Sequence, residues 1–182
     1  MKDVMVDLET VGQRAGCAIL SIGAVAFDRE TGKLGPELYT VVRLSTCEKL
    51  GLHSNQDTLD WWEKQSPEAQ KVLKQARAGR GNKPLDKALI GFNEYLAQFG
   101  PKVVKVWGNG SDFDNAILYG CYAAAELKAG WEFWNSRCFR TLKDFAPHLK
   151  MERAGTHHNA LDDAKTQALH AIKVFQHLKG GK

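Results

Sequence analysis

Apolar and polar positions alternate along residues 3–9: Val4, Val6 and Leu8 fall on one side, Met5, Asp7 and Glu9 on the other. That two-residue period predicts a strand with two distinct faces. Residues 18–27 are rich in Ile, Leu, Val and Ala around Gly23 and predict a second strand. Arg29-Glu30-Thr31-Gly32-Lys33 is a turn signal, so a hairpin and a third strand over 38–44 follow. The period then lengthens toward helix. A short helix is predicted over 58–64, and Ser66-Pro67-Glu68 starts another that runs to about Arg77. Its opening has Ser as N-cap, Pro in the first turn and an acid at the positive helix end. Residues 79–84 form a loop, and the basic stretch of about 77–84 is expected to be mobile. An amphipathic helix over 85–99 closes at Gly100-Pro101, a fourth strand covers 103–107, and a Gly-Asn-Gly-Ser loop leads into a helix over about 113–128. A short helix over 141–148, broken near Pro147, precedes a last one over 160–178. A three-strand antiparallel meander followed by alternating helix and strand predicts a single α/β domain over 1–182, with a mixed sheet and flanking helices.

Composition narrows this picture without changing it. A chain of 182 residues, 43% hydrophobic and 25% charged, builds one ordinary globular core. No run of about 18 apolar residues is present, and Asp3, Asp7 and Glu9 interrupt the N-terminal segment where a signal peptide would be apolar. Cys17, Cys47, Cys121 and Cys138 are widely spaced with no Cys-x-x-Cys, which predicts reduced thiols in a cytoplasmic protein rather than a zinc ribbon. The net charge of +4 permits a polyanionic partner but does not by itself identify one.

Four groups of residues carry candidate chemistry. Asp7 and Glu9 are two apart on the first strand, hence on one face, where a shared cation would resolve their repulsion; the same pattern fits two solvent-facing acids on an edge strand. In Asn109-Gly110-Ser111-Asp112-Phe113-Asp114-Asn115, Asp114 shares a helical stripe with Ile117, Leu118 and Cys121, whereas Asp112 falls opposite and suits an N-cap. In the segment His157 to Ala164, Asn159 is the expected N-cap. Asp163 borders a core stripe of Leu161, Ala164, Ala168, Ala171, Phe175 and Leu178, and Asp162 points away toward a helix-dipole role. Periodicity does not choose between His157 and His158, which precede the helix. Lys71, Lys74, Arg77, Arg80, Lys83 and Lys87 place six positive charges in 17 residues, offset only by Asp86. They read as a phosphate-tracking surface or as a solvated helix face.

Taken in order, Asp-x-Glu on a first strand, Phe-Asp opening a middle helix and His-x4-Asp opening the last helix resemble the DEDDh branch of the DEDD 3′→5′ exonuclease superfamily, of ribonuclease H-like fold. The likeness extends through Asp7-Leu8-Glu9-Thr10, residues 18–25 and 158–164. With Trp61-Trp62 and Trp107-Gly108-Asn109-Gly110, it is greatest to the small bacterial and phage exoribonuclease-like proteins. One departure stands out: three residues separate Asn109 from Phe113, where many relatives have two, which leaves Asp112 as a rival to Asp114.

The resemblance implies an active set of Asp7, Glu9, Asp114, His158 and Asp163. Two Mg²⁺ or Mn²⁺ ions would be held by Asp7, Glu9, Asp114 and Asp163, with His158 as general base. It also implies release of nucleoside 5′-monophosphates from single-stranded 3′ ends, RNA mildly favoured over DNA, by a homodimer. Glu9 and the backbone near Leu8 would meet the terminal sugar, with the Leu8 side chain as a wedge; read alone, Leu8 is a core residue. Trp61 would stack on a base while at least one of the Trp61-Trp62 pair packs in the core, and Arg137 and Arg140 would reach phosphate or pair with surface acids. Two rivals are a ribonuclease H-like endonuclease, which the His158–Asp163 pair disfavours, and a catalytically silent nucleic-acid-binding module, which does not call for four carboxylates.

Overall fold

The computed structural model describes residues 1–180; residues 181–182 lie outside the described part. Strands β1 (Asp3–Thr10), β2 (Ile19–Phe27) and β3 (Leu34–Val41) form the antiparallel meander. Asp28 builds the hairpin between β2 and β3, its side chain accepting from the amides of Glu30 (2.8 Å) and Thr31 (3.0 Å). Helices α1 (Leu44–Lys49), α2 (Gln56–Glu63), α3 (Pro67–Arg77) and α4 (Leu85–Ala97) follow, then β4 (Lys105–Gly108), α5 (Asp114–Ala124), β5 (Ser136–Cys138), α6 (Phe139–Lys143) and α7 (Ala160–Gly180). The sheet order is β3-β2-β1-β4-β5, with β4 parallel to β1 and β5 parallel to β4. This is the expected α/β architecture, a mixed sheet with helices on both faces.

Several boundaries differ from the sequence pattern. β3 begins four residues early, through Gly35 and Pro36. Proline is unfavourable inside a sheet, but on an edge strand its missing N–H costs no ladder bond. It ends at Val41, because Leu44 already opens α1, a six-residue helix too short for its period to register. α5 stops at Ala124, where Glu126 takes a left-handed φ of 54° and Leu127 folds back to donate to the Tyr122 carbonyl. β5 has only three residues, and α6 covers 139–143 rather than 141–148. In α7 the residues from Gln176 onward are exposed, so Leu178 (47% exposed) adds nothing to the core stripe, and His170, Ile172 and Val174 are buried instead.

The alternation in β1 divides the core. Val4, Val6 and Leu8 pack with Ile22, Leu89, Phe92, Ile117 and Leu118 beneath α3–α5. Met5 packs with Val25, Phe27, Trp107, Phe139, Ala164 and Ala168 beneath α6 and α7. Asp7 and Glu9 continue the Met5 face past the end of that second core. Gly23, which pairs with Asp7 across the β1–β2 ladder, sets how closely α7 approaches. A Cβ at Gly23 would lie 2.1 Å from the Ala160 carbonyl carbon. Only glycine therefore lets the first turn of α7 descend onto the sheet beside Asp7. The loop 79–84 is fastened by Asn82, which donates to the Gln75 carbonyl (2.7 Å), and by the Lys83 amide, which donates to Val41 (2.9 Å). Cys17, Cys47, Cys121 and Cys138 are all free thiols.

Candidate active site

The carboxyl ends of the parallel strands β1 and β4 and the N-termini of α5 and α7 meet around one cleft of about 1100 Å³, the usual location of sites in open α/β sheets. Asp7 and Glu9 come from β1 and Asp163 from the first turn of α7. One ligand atom from each lies within 4.8 Å of the other two. Asp114, the first residue of α5, is fully buried below them. Its carboxylate accepts from the Leu8 amide (3.1 Å) and the Asn109 amide (2.6 Å), which ties the middle of the chain to β1. Gly108 permits this approach, since a Cβ there would stand 2.9 Å from that of Asp114.

Four acids in so small a volume repel. Burial pushes the Asp7 carboxyl well above the usual range, the charges of Asp114, Glu9 and Asp163 push it further, and donation from Gln167 (2.7 Å) opposes them. Burial raises Glu9 to about 8, with Asp163 and Asp114 adding and Arg153 opposing. Burial raises Asp114 to about 6, against the amides of Asn109 and Leu8. Glu9 Oε1 is buried with no hydrogen-bond partner. A hard divalent cation fits this donor set, because a single guanidinium, Arg153 on Asp163, leaves three converging carboxylates and an unpartnered oxygen short of positive charge.

His158 lines the same cleft with a left-handed φ of 59°. Its ring stands edge-on to Trp61, centroids 4.9 Å apart. Burial lowers its pKa from the ordinary 6.5; Asp163 pulls the other way, and His157 and Arg153 lower it again. His157 also lines the cleft, so position alone does not exclude it. Asn159 accepts from the Leu161 (3.1 Å) and Asp162 (3.2 Å) amides as the expected cap of α7. Asp162 does more than favour the helix dipole: its carboxylate accepts from the Thr156 amide (2.7 Å) and fastens the loop that carries His158. Asp112 is not the N-cap of α5. The capping position is Phe113, without a side-chain bond, and Asp112 stands exposed on the cleft wall.

The tryptophans divide as anticipated. Trp62 is core, donating to the Thr10 carbonyl (2.8 Å), while Trp61 is 42% exposed at the cleft. Leu8 is 4% exposed yet touches the cleft floor. Arg140 lines the cleft and donates to the Asn109 carbonyl (2.9 Å), whereas Arg137 turns to the Trp134 carbonyl (2.7 Å). Lys71, Lys74, Arg77 and Arg80 are exposed along α3 and its loop and do not line the cleft; its guanidinium groups are Arg14, Arg140 and Arg153. Sequence reasoning missed Gln167 and Arg153. Arg153 pairs with Asp163 and donates to the Thr156 carbonyl (2.6 Å). Neither residue belongs to a short motif; Gln167 alone had a signal, being four residues, one helical turn, beyond Asp163.

Comparison with known proteins agrees with this geometry. The family described as the 3′-5′ exoribonuclease Rv2179c-like domain matches residues 2–175. An exodeoxyribonuclease of Enterobacteria phage T4 is 26% identical over 167 residues, covering 78% of this chain and 70% of the phage protein. Among solved structures, the nuclease domain of 3′hExo, a DEDDh family member, bound to rAMP, superposes with a TM-score of 0.61 at 17% identity over 98% of this chain and 92% of that one. Exonuclease X in complex with 5′ overhanging duplex DNA gives 0.60 at 14% identity over 99% and 94%. Escherichia coli exonuclease I with a dT13 oligonucleotide gives 0.64 at 11% identity, over 94% of this chain and 40% of the longer one. At these identities the structural likeness is one of fold.

Proposed function

We propose, from the premise that the chain belongs to the 3′-5′ exoribonuclease Rv2179c-like family, that it is a divalent-metal-dependent exonuclease. It removes nucleoside 5′-monophosphates from single-stranded 3′ ends or overhangs, RNA ahead of DNA. The observation that carries this reading is the convergence of Asp7, Glu9 and Asp163, with an unpartnered Glu9 oxygen, beside His158 in an open cleft.

Asp7, Glu9 and Asp163 would hold Mg²⁺ or Mn²⁺. Asp114 would serve a second ion through a lone pair left free by its two amide donors. Such ions, when bound, supply charge neutralisation at the phosphate and lower the pKa of water. The remaining steps belong to the chain. His158, held neutral near pH 7 by its lowered pKa, takes the proton of the attacking water on a ring nitrogen. Gln167 orients Asp7 through its amide. Trp61 offers an exposed ring for the terminal base. Glu9 and Leu8 at the cleft floor would meet the terminal sugar. Lys71, Lys74, Arg77 and Arg80, outside the cleft, would meet the phosphates of the strand beyond it, and a homodimer would bring one protomer's basic face to its partner.

The test is a gel time course on 5′-labelled single-stranded RNA and DNA of one sequence, with Mg²⁺, Mn²⁺ or EDTA. Single-step shortening from the 3′ end, abolished by EDTA, is expected, with the RNA ladder faster. Internal cuts would mean an endonuclease, and intact strands that still bind would mean a silent binding module.

A further inference from the structure

The acidic cluster contains one contact that its chemistry does not require. Arg153, from the loop between α6 and α7, places its guanidinium on Asp163, one of the three converging carboxylates. Its second nitrogen donates to the Thr156 carbonyl at 2.6 Å, so the group is anchored at one end and free to choose a partner at the other. The Arg153 side chain is 27% exposed and lines the cleft with Trp61, His158 and Thr166. Its field reaches beyond the pair, opposing the upward shift of Glu9 and favouring neutral His158. A guanidinium and a divalent cation bring positive charge to the same carboxylate, so each weakens the hold of the other. A guanidinium also matches two phosphate oxygens in one plane, which makes phosphate its natural second partner.

We propose that Arg153 has two alternative partners: the Asp163 carboxylate in the cation-free protein, and a phosphate of the nucleic-acid strand once a divalent cation holds Asp163. The phosphate half rests on the exonuclease reading above; the cation half does not. In the resting protein Arg153 neutralises part of the cluster. When the cation takes Asp163, the guanidinium stays in the cleft on its Thr156 anchor and becomes a phosphate clamp. Arg153 is then a positioning residue that links cation loading to substrate grip.

The experiment measures Mn²⁺ binding by calorimetry, without nucleic acid, for the unsubstituted protein, Arg153→Gln and Arg153→Lys, each checked for folding by circular dichroism. Steady-state kinetics on a single-stranded oligonucleotide follow. Arg153→Gln should bind Mn²⁺ about tenfold more tightly, because the competing charged hydrogen bond is gone, while its KM rises about tenfold for loss of the phosphate contact. Arg153→Lys keeps the charge, so its Mn²⁺ affinity should stay near that of the unsubstituted protein, and its KM should fall between the other two. Equal Mn²⁺ affinities for all three proteins overturn the proposal whatever the turnover. A kcat loss in Arg153→Gln with KM unchanged overturns the phosphate half and leaves a loop strut. No hydrolysis by the unsubstituted protein defeats the exonuclease reading, and it is told apart from failure of the proposal because the Mn²⁺ titration needs no turnover.

Discussion

The two ends of β1 treat the same residue type in opposite ways. Asp3 and Asp7 lie on one face of one strand, four residues apart. Asp3 is 6% exposed, but it is partnered: Arg29 pairs with it, Nε reaching Oδ2 at 3.1 Å, and the Trp107 indole donates at 2.8 Å. Arg29 in turn sits over the Phe175 ring, 4.3 Å from its centroid. Asp7, half-buried, receives one neutral donor, Gln167, and faces Asp114, Glu9 and Asp163. A buried carboxylate with its counter-charge supplied is structure. A carboxylate among other carboxylates is a site awaiting a cation.

Replacing each acid by its amide separates the two cases most widely. Asp7→Asn should cut turnover by about 10³-fold, the scale at which a group acting directly on transition-state charge is lost. It should leave the melting temperature of the cation-free protein level or higher, since a repelling charge is gone. Asp3→Asn should do the reverse. Leaving Arg29 partly buried without its counter-charge should cost about 2 kcal/mol of stability, read by urea unfolding, with kcat of the folded protein unchanged. An unstable Asp7→Asn, or an inactive Asp3→Asn, would break the comparison.

A smaller effect follows from proton linkage. Three acids of the site have folded-state pKa values above their unfolded ones: Glu9 goes from 4.5 to about 8, Asp114 from 3.8 to about 6, and Asp7 is also raised. Between these limits the folded chain holds protons that the unfolded chain has released. Their contribution to stability is therefore full only below about pH 3.8, the lowest of the unfolded values, and lost as pH rises toward 8. The cation-free protein should melt a few degrees lower at pH 8 than at pH 6, and Glu9→Gln should flatten that slope. Mg²⁺, which binds the deprotonated set, should stabilise more at pH 8 than at pH 6. A cation-free protein that gains stability from pH 6 to 8, with the same gain in Glu9→Gln, would mean that the cluster is not strained.

The Asp7 end of the strand was legible in the sequence and the Asp3 end was not. Asp7, Glu9, Asp163 and the Asn159 cap announce themselves through local spacing, two residues along a strand or one turn of a helix. Those patterns depend on backbone geometry alone. Asp3 looked like the start of a strand, because its partners Arg29 and Trp107 are 26 and 104 residues away. The Gln167 bond to Asp7 spans 160 residues and the Trp62 bond to Thr10 spans 52, so neither pairing is visible in a local window, although Gln167's place one turn beyond Asp163 is. Arg153 sits in a loop, where no period operates. Elements of three to six residues, β5, α1 and α6, were missed or misplaced because they are shorter than the repeat that reveals them. The helical stripe places Asp114 toward the sheet, where it is found, but the capping role given to Asp112 requires a helix start one residue earlier than the observed one.

Asp162 tests the finest version of the same distinction. It adjoins Asp163 on α7, yet its carboxylate accepts the Thr156 amide and sits over Gly155, where an added Cβ would lie 2.2 Å from the carboxyl carbon. Gly155 takes a left-handed φ of 72°, so the loop turns under Asp162 before reaching His158. By partner, Asp162 belongs with Asp3. By location it neighbours the cation ligands, and the two attributes predict different things. If partner decides, Asp162→Ala should lose about 1 kcal/mol for one exposed charge-assisted bond. Turnover should then fall only a few-fold, through looser placement of His158, with cation affinity not reduced. If location decides, cation affinity should fall with turnover. Measuring Mn²⁺ affinity and kcat together on Asp162→Ala separates these outcomes: loss of the strap reaches the cation site only by loosening Arg153 on its Thr156 anchor, which would tighten the cation, whereas loss of a ligand would weaken it.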